Sequence, residues 1–256
     1  MIIDTHAHYD DEAFDADRDA LLKSLNGNGI ELAVNAGASM ETSKKGLALS
    51  HEYPFLYCAL GVHPNETGEL TKDDMEWIVR NAADEKVVSI GEIGLDYHFE
   101  EPLRSIQKRW FAEQIAVAKR AGLPIMVHSR DAAQDTYDLL KAEHAEETGG
   151  VIHCFSYGTD MAKKYLAMGF MIGIGGVVTF KNAKRMKEVV QAVPLESILL
   201  ETDCPYLSPE PNRGRRNSSL NLPYVAEAIA AIKGTSAEEV ICKTRENALR
   251  VFPKLR

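Results

Sequence analysis

Ile2-Ile3-Asp4-Thr5-His6-Ala7-His8 begins with two apolar residues, the start of a buried strand, and closes on His-x-His. In an extended chain residues i and i+2 share a face, so His6 and His8 can offer two imidazoles to one ion. The plain alternative is a pair of surface or core histidines. These seven residues do not choose between the two. What decides is whether the remaining chain brings further ligands to the same place.

Short apolar runs alternate with longer amphipathic stretches along the whole chain. Strands are expected at 2–8, 32–36, 55–63, 87–93, 124–128, 151–155, 170–174 and 197–202. Helices are expected at 15–28, 40–52, 75–83, 103–121, 132–143, 160–168, 183–193 and 222–233, with a further one after 236 running to about 252. Thr71-x-x-Asp74 and Ser236-x-x-Glu239 read as capping boxes, and Gly122 as a helix stop. Eight strands alternating with helices point to a parallel sheet, and the simplest eight-stranded solution is a (β/α)8 TIM barrel of ~250 residues. We expect an α/β chain of that kind, one domain over 1–256, with an extra C-terminal helix. A doubly wound open sheet is the competing reading. It is weakened because no Gly-x-Gly-x-x-Gly follows the first strand.

Composition is that of a globular protein, 45% hydrophobic and 26% charged, with no linker-like or low-complexity tract. No basic stretch followed by an apolar one marks a secretory signal, and no apolar run approaches the ~20 residues that span a bilayer. Cys58, Cys154, Cys204 and Cys242 are scattered without a CxxC and read as free thiols. A cytoplasmic location away from membranes is expected, and no obligate protein partner is implied. The net charge of −9 argues against a generic nucleic-acid coat, which neutralises phosphates with Lys and Arg. It says little about an enzyme that meets phosphate through metal ions and a local basic patch.

In a barrel the active residues sit at the C-terminal ends of the strands. His6 and His8 end the first strand, His63 ends the third, the fourth carries Glu92, His128 ends the fifth, the sixth carries His153, and Asp203 follows the eighth. A lone histidine ending a strand is more often structural. Leaving His63 aside, six ligand-type residues on five strands in one topological place are much better explained by metal. Four imidazoles and two carboxylates suit zinc, manganese, cobalt or a similar divalent ion, and not calcium, which prefers oxygen. Six ligands suit two ions sharing a bridge, with Glu92 the natural bridging carboxylate. Two metals ~3.5–4 Å apart recur in the cleavage of phosphate esters, where they polarise the phosphoryl oxygen and activate a water. Asp203 can both ligate and take the proton from that water, so Asp203 and Glu92 are the expected catalytic residues.

A family resemblance is now legible. Asp4-Thr-His-Ala-His8, Gly61-Val-His-Pro64, Gly91-Glu-Ile-Gly-Leu-Asp-Tyr97, Val127-His-Ser-Arg130, His153-Cys-Phe-Ser156, Glu201-Thr-Asp-Cys-Pro-Tyr206 and Arg213-Gly-Arg-Arg-Asn217 together resemble the motifs of TatD-like deoxyribonucleases. That family is a branch of the metal-dependent amidohydrolase-like barrels, and the resemblance runs from residue 2 to about 252. It implies a TIM barrel, divalent metals (magnesium, manganese or zinc), and hydrolysis of DNA phosphodiesters, exonucleolytic on single strands or ends. It also implies His6, His8, Glu92 and Asp203 on one metal and Glu92, His128 and His153 on the other. Two stretches depart from the family pattern. Ser218-Ser219 stands where Glu-Pro is usual, and Tyr157 precedes Gly158 where Gly usually comes directly. Both bear on substrate preference rather than on the ligand set.

Several further residues have a functional and a structural reading side by side. His63, Arg130 and Arg213 are expected to contact substrate phosphate, Arg through its planar fork. Arg215 and Arg216, with Lys181, Lys184, Arg185 and Lys187, form basic clusters in the loops after strands seven and eight. Tyr97 and Tyr157 can stack a base or simply pack. Asp4 and Glu201 read as buried hydrogen-bonding groups that orient imidazoles. The leading expectation is a metal-dependent hydrolase with DNA as substrate. An alternative is hydrolysis of amides, lactones or acyl esters, including an aminoacyl-tRNA ester, on the same barrel. No strand-end lysine is present of the kind that carbamate-bridged relatives use. A third reading is a metal-containing binding protein without turnover, which a full ligand set and a candidate base disfavour.

Overall fold

The computed structural model describes residues 1–255. Eight parallel strands lie in sequential order: β1 Ile2–Ala7, β2 Ile30–Ala36, β3 Leu56–Leu60, β4 Val87–Asp96, β5 Ile125–Arg130, β6 Gly150–Ile152, β7 Phe170–Ile174 and β8 Ile198–Leu200. The barrel closes by backbone hydrogen bonds between the end of β1 and the residues just after β8. The His6 carbonyl accepts the N–H groups of Thr202 (3.3 Å) and Asp203 (2.9 Å), and the His8 N–H donates to Cys204 O at 2.8 Å. The expected (β/α)8 barrel is therefore what forms, and the open doubly wound sheet is not.

Helices α1 Arg18–Leu25, α2 Met40–Glu52, α3 Lys72–Asn81, α4 Arg104–Ala121, α5 Ala133–Ala142, α6 Thr159–Ala167, α7 Lys184–Ala192 and α8 Leu222–Lys233 follow the strands one by one. An additional helix, α9 Ala237–Val251, comes last. Local signals place their ends. The Thr71 side chain accepts the Asp74 N–H, and Asp74 answers by accepting the Thr71 N–H at 3.0 Å. At α9 only half of the box forms: Ser236 accepts the Glu239 N–H, while Glu239 binds Thr235 instead. Gly122 stops α4 at φ 64°.

Two apolar layers result. The larger lies between strands and helices and includes Phe14, Phe111, Ile115, Tyr165 and Ile229. The smaller fills the barrel itself. Every strand contributes to it, among others through Ile3, Val34, Tyr57, Val88, Met126, Val151, Met171 and Leu199, and Ala248, Phe252 and Leu255 join them. The end of α9 and the turn after it thus plug the barrel at the end where the strands begin. The extra helix is the floor of the barrel.

Two pairing irregularities aim the site. Asp4 pairs with Ala33 and Ala7 with Asn35, so three steps along β1 match two along β2. Ile90 pairs with Ile125 and Ile93 with Val127, the same surplus on β4. An added residue of this kind reverses the facing of the strand beyond it. Ile3 can therefore fill the barrel core while His6, three residues on, also points inward.

Phe252 is fully buried. Phe252→Ala should destabilise the fold by about 3–5 kcal/mol through lost burial and an unfilled cavity. A shift of the denaturant midpoint at unchanged slope is the measurement that checks it.

Candidate metal centre

The strand ends bring the six expected ligand residues into two adjoining groups. In the first, His6 Nε2 and His8 Nε2 lie 3.0 Å apart. Asp203 Oδ1 is 3.6 Å from the former and 3.3 Å from the latter. Glu92 Oε2 is 3.5 and 3.8 Å from the same two nitrogens. In the second, Glu92 Oε1 is 2.8 Å from His128 Nδ1 and 2.7 Å from His153 Nε2, and these nitrogens are 3.4 Å apart. One carboxylate therefore reaches both groups, one oxygen to each.

Neighbouring groups fix which ring nitrogen faces inward. His8 Nδ1 donates to the Ala36 carbonyl at 3.0 Å, which leaves the Nε2 lone pair for the site. His128 Nε2 lies 3.2 Å from Asp96 Oδ2, which turns Nδ1 inward. His6 and His153 are buried, and their Nδ1 atoms have no hydrogen-bond partner among the described residues. The backbone is equally constrained. Gly94 has φ 152°, and a side chain there would overlap the His128 carbonyl oxygen. Asp203 (φ 56°) and Cys154 (φ 43°) hold left-handed conformations that cost a non-glycine residue energy and tend to cluster at functional sites.

The charges are mutually dependent. Burial pushes the Glu92 and Asp203 carboxyls up, but the surrounding imidazoles outweigh it and hold both below the usual carboxylate range. Burial pulls His8 and His153 down, yet Asp203 raises His8 to about 9 and Glu92 raises His153 to about 10. His6 is kept well below its ordinary value by burial and by His153. Convergent nitrogen and oxygen donors, buried and partly orphaned, are a fit for divalent cations with mixed nitrogen–oxygen preference. His6, His8 and Asp203 form one cluster that could hold an ion, and His63, Glu92 and His128 another.

His63 sits closer to this centre than a peripheral contact would. Its ring is 4.2 Å from that of His128, and its Nε2 is 3.9 Å from Glu92 Oε1. Its Nδ1 accepts the Asn65 N–H, and burial lowers its pKa to about 3. The neutral ring then carries its proton at Nε2, facing the centre as a donor.

Other expectations divide. Arg130 is exposed beside the Phe99 ring, and Arg213, also exposed, lies 4.3 Å over Phe180 with its guanidinium 4.0 Å from the Glu210 carboxylate. Arg216 is instead spent on Asp17, with a guanidinium–carboxylate distance of 2.6 Å. Tyr97 donates to Asp135, and the Tyr157 hydroxyl meets Ser129 and the Ala132 N–H, so both phenols are tied into the wall. The exposed aromatics at the mouth are Phe99 and Tyr206, the latter 6.4 Å from the His8 ring. Asp4 does not touch an imidazole. It accepts from Thr202 and Ser219 side chains and from the His6 and Thr202 N–H groups, tying β1 to the loop after β8. Ser219, one of the departures from the family pattern, is thus a buried partner of Asp4. Glu201 accepts the Cys154 N–H and stands 3.8 Å behind His153 Nδ1, and burial raises its carboxyl to about 8.

Asp96 is the residue that ligand-counting passes over. Besides His128 it accepts the His98 N–H at 2.9 Å, and Gln107 grips its backbone from both sides. Burial raises its carboxyl, but His128 and the His98 N–H outweigh this and lower it. The signal available was the acid two residues beyond Gly94, at the end of a strand that already carried Glu92.

A family model described as TatD related DNase matches residues 3–253. YabD of Bacillus subtilis strain 168, an uncharacterized metal-dependent hydrolase, is 44% identical over 252 residues, which are 98% of this chain and 99% of that one. YcfH of Escherichia coli K12, also an uncharacterized metal-dependent hydrolase, is 34% identical over 255 residues, 98% and 96% of the two chains. The crystal structure of YjjV, a TatD homolog from Escherichia coli K12, matches with a TM-score of 0.92 at 31% identity, over 98% of each chain.

At neutral pH His8 and His153 are protonated in the metal-free chain, since both are raised above 7. A metal must displace those protons, so affinity should rise with pH until about 9–10 and loading should release protons. Calorimetry in buffers of different ionisation enthalpy reads this directly; pH-independent affinity would contradict it. Asp96→Asn should weaken metal binding by about 10–100-fold with the fold intact, as loss of a ligand's supporting carboxylate does. Competition with a chromophoric chelator measures the change.

Proposed function

Because the chain belongs to the TatD related DNase family of metal-dependent hydrolases, we propose that it cleaves DNA phosphodiester bonds, working from single strands or ends. The observation that carries this reading is Glu92, whose two oxygens reach two separate donor groups and so fit it to bridge a pair of divalent ions. Under this proposal His6, His8, Glu92 and Asp203 hold one ion, and Glu92, His128 and His153 the other. When bound, such ions supply Lewis acidity to a phosphoryl oxygen and lower the pKa of an attacking water.

The chain's own residues do the rest. Asp203, held as a carboxylate by His8 and the neighbouring imidazoles, accepts the proton of the attacking water. His63 presents Nε2–H to a non-bridging phosphate oxygen. Arg130, exposed at the end of β5, and Arg213, exposed on the loop after β8, meet flanking phosphates. The acidic surface elsewhere disfavours long non-specific contact, which suits an enzyme that engages a few nucleotides.

The test is a nuclease assay on chelator-stripped protein refilled with magnesium, manganese or zinc, with labelled single- and double-stranded DNA alongside a panel of acyl esters and lactones. DNA should be cut only after refilling. DNA left intact by every loaded form would end this reading, and turnover confined to acyl substrates would move the chain to the alternative bond. Asp203→Asn should lower kcat/KM for DNA by about 100- to 10,000-fold while circular dichroism stays unchanged; wild-type rates in that variant would remove Asp203 as the base.

A further inference from the structure

Beside the metal centre, between the loops that follow β6, β7 and β8, lies a second concavity of about 350 Å³. Asp203 is among its lining residues, so it adjoins the place where the reaction is proposed to occur. Its walls are apolar: Val177, Met186 and Leu207 line it, and Leu207 is 38% exposed although it is a large aliphatic side chain. Ser156, Glu201 and Thr202 also line it, and two further polar side chains, Asn182 just before α7 and Arg185 in its first turn, complete the lining. Both are exposed, and neither has a hydrogen-bond or ion-pair partner among the described residues. A phosphate alone has no use for such walls, since burying a charge against aliphatic groups is costly. An aliphatic acyl chain would use the walls and leave the amide and guanidinium idle. A planar heterocycle uses both, its faces against Val177, Met186 and Leu207 and its edge against Asn182 and Arg185, the side-chain types that hydrogen-bond base edges.

We infer that this side pocket receives the nucleobase of the nucleotide adjoining the scissile phosphate. The inference rests on the DNA reading above and deepens it. Its volume is at the small end of ligand pockets, enough for one ring system and too small for a stacked duplex step. Only a terminal or unpaired base can leave its stack to enter, so the pocket selects ends and single strands by shape.

The experiment titrates the zinc-loaded protein with a 2′-deoxynucleoside 5′-monophosphate and, separately, with inorganic phosphate. The mononucleotide should bind about tenfold more tightly or better, the worth of seating one base. Ala183→Phe, which projects a ring into the pocket from the residue before α7, should erase that advantage. Arg185→Ala, a change at an exposed position that leaves the fold alone, should reduce it several-fold and unequally among the four bases. Equal affinity for nucleotide and phosphate in the parent protein overturns the inference, as does an advantage that survives both substitutions. Failure of the DNA reading looks different: a base-dependent advantage lost in Ala183→Phe, in a protein that leaves DNA intact, keeps the pocket and removes the nuclease.

Discussion

The His6 carbonyl is where this molecule closes. It accepts the N–H groups of Thr202 and Asp203, so one oxygen joins the first strand to the residues after the last. The side chains of His6 and Asp203 then meet because their backbones already do. Asp4 reinforces the seam from behind, taking four hydrogen bonds from β1, Thr202 and Ser219. Half of the candidate centre is therefore a by-product of barrel closure. Asp203 accepts a left-handed backbone to face inward at that seam, a local cost that the ladder around it holds in place.

The centre is also an electrostatic unit. Glu92 is buried, and a buried carboxylate is tolerated only with strong partners. Here the partners are imidazoles on both sides, and of these His8, His128 and His153 are in turn raised by the carboxylates beside them, while His6 is held low. Such a cluster carries protons when it carries no metal, so protons and divalent ions compete for the same nitrogens. Asp96 and the Ala36 carbonyl bias that contest by deciding which nitrogen of His128 and of His8 points inward.

Much of this was legible in the sequence, for identifiable reasons. Strand–helix alternation survives in hydrophobic periodicity, so eight strands and the barrel could be read. The candidate ligands at strand ends are conspicuous because six of them, on five strands, fall in one topological place, although a single such histidine is more often structural. What escaped depends on pairing rather than on residue type. Strict alternation from Ile3 would turn His6 away from the barrel; the surplus residues in β1 and β4 correct this, and no residue announces them. Tyr97 and Tyr157 were candidates for stacking, but their hydroxyls find Asp135 and Ser129, partners set by the fold. Asp4 was expected to orient an imidazole and instead orients backbone.

The plug formed by Phe252 and Leu255 has a practical consequence. These residues pack with Ile3 at the end of the barrel where strands begin, and the candidate centre lies at the other end. Residues 2 and 255 therefore both lie on the side turned away from the mouth. A surface tether joined near residue 2 or residue 255 would hold the molecule by its base, with the opening turned outward.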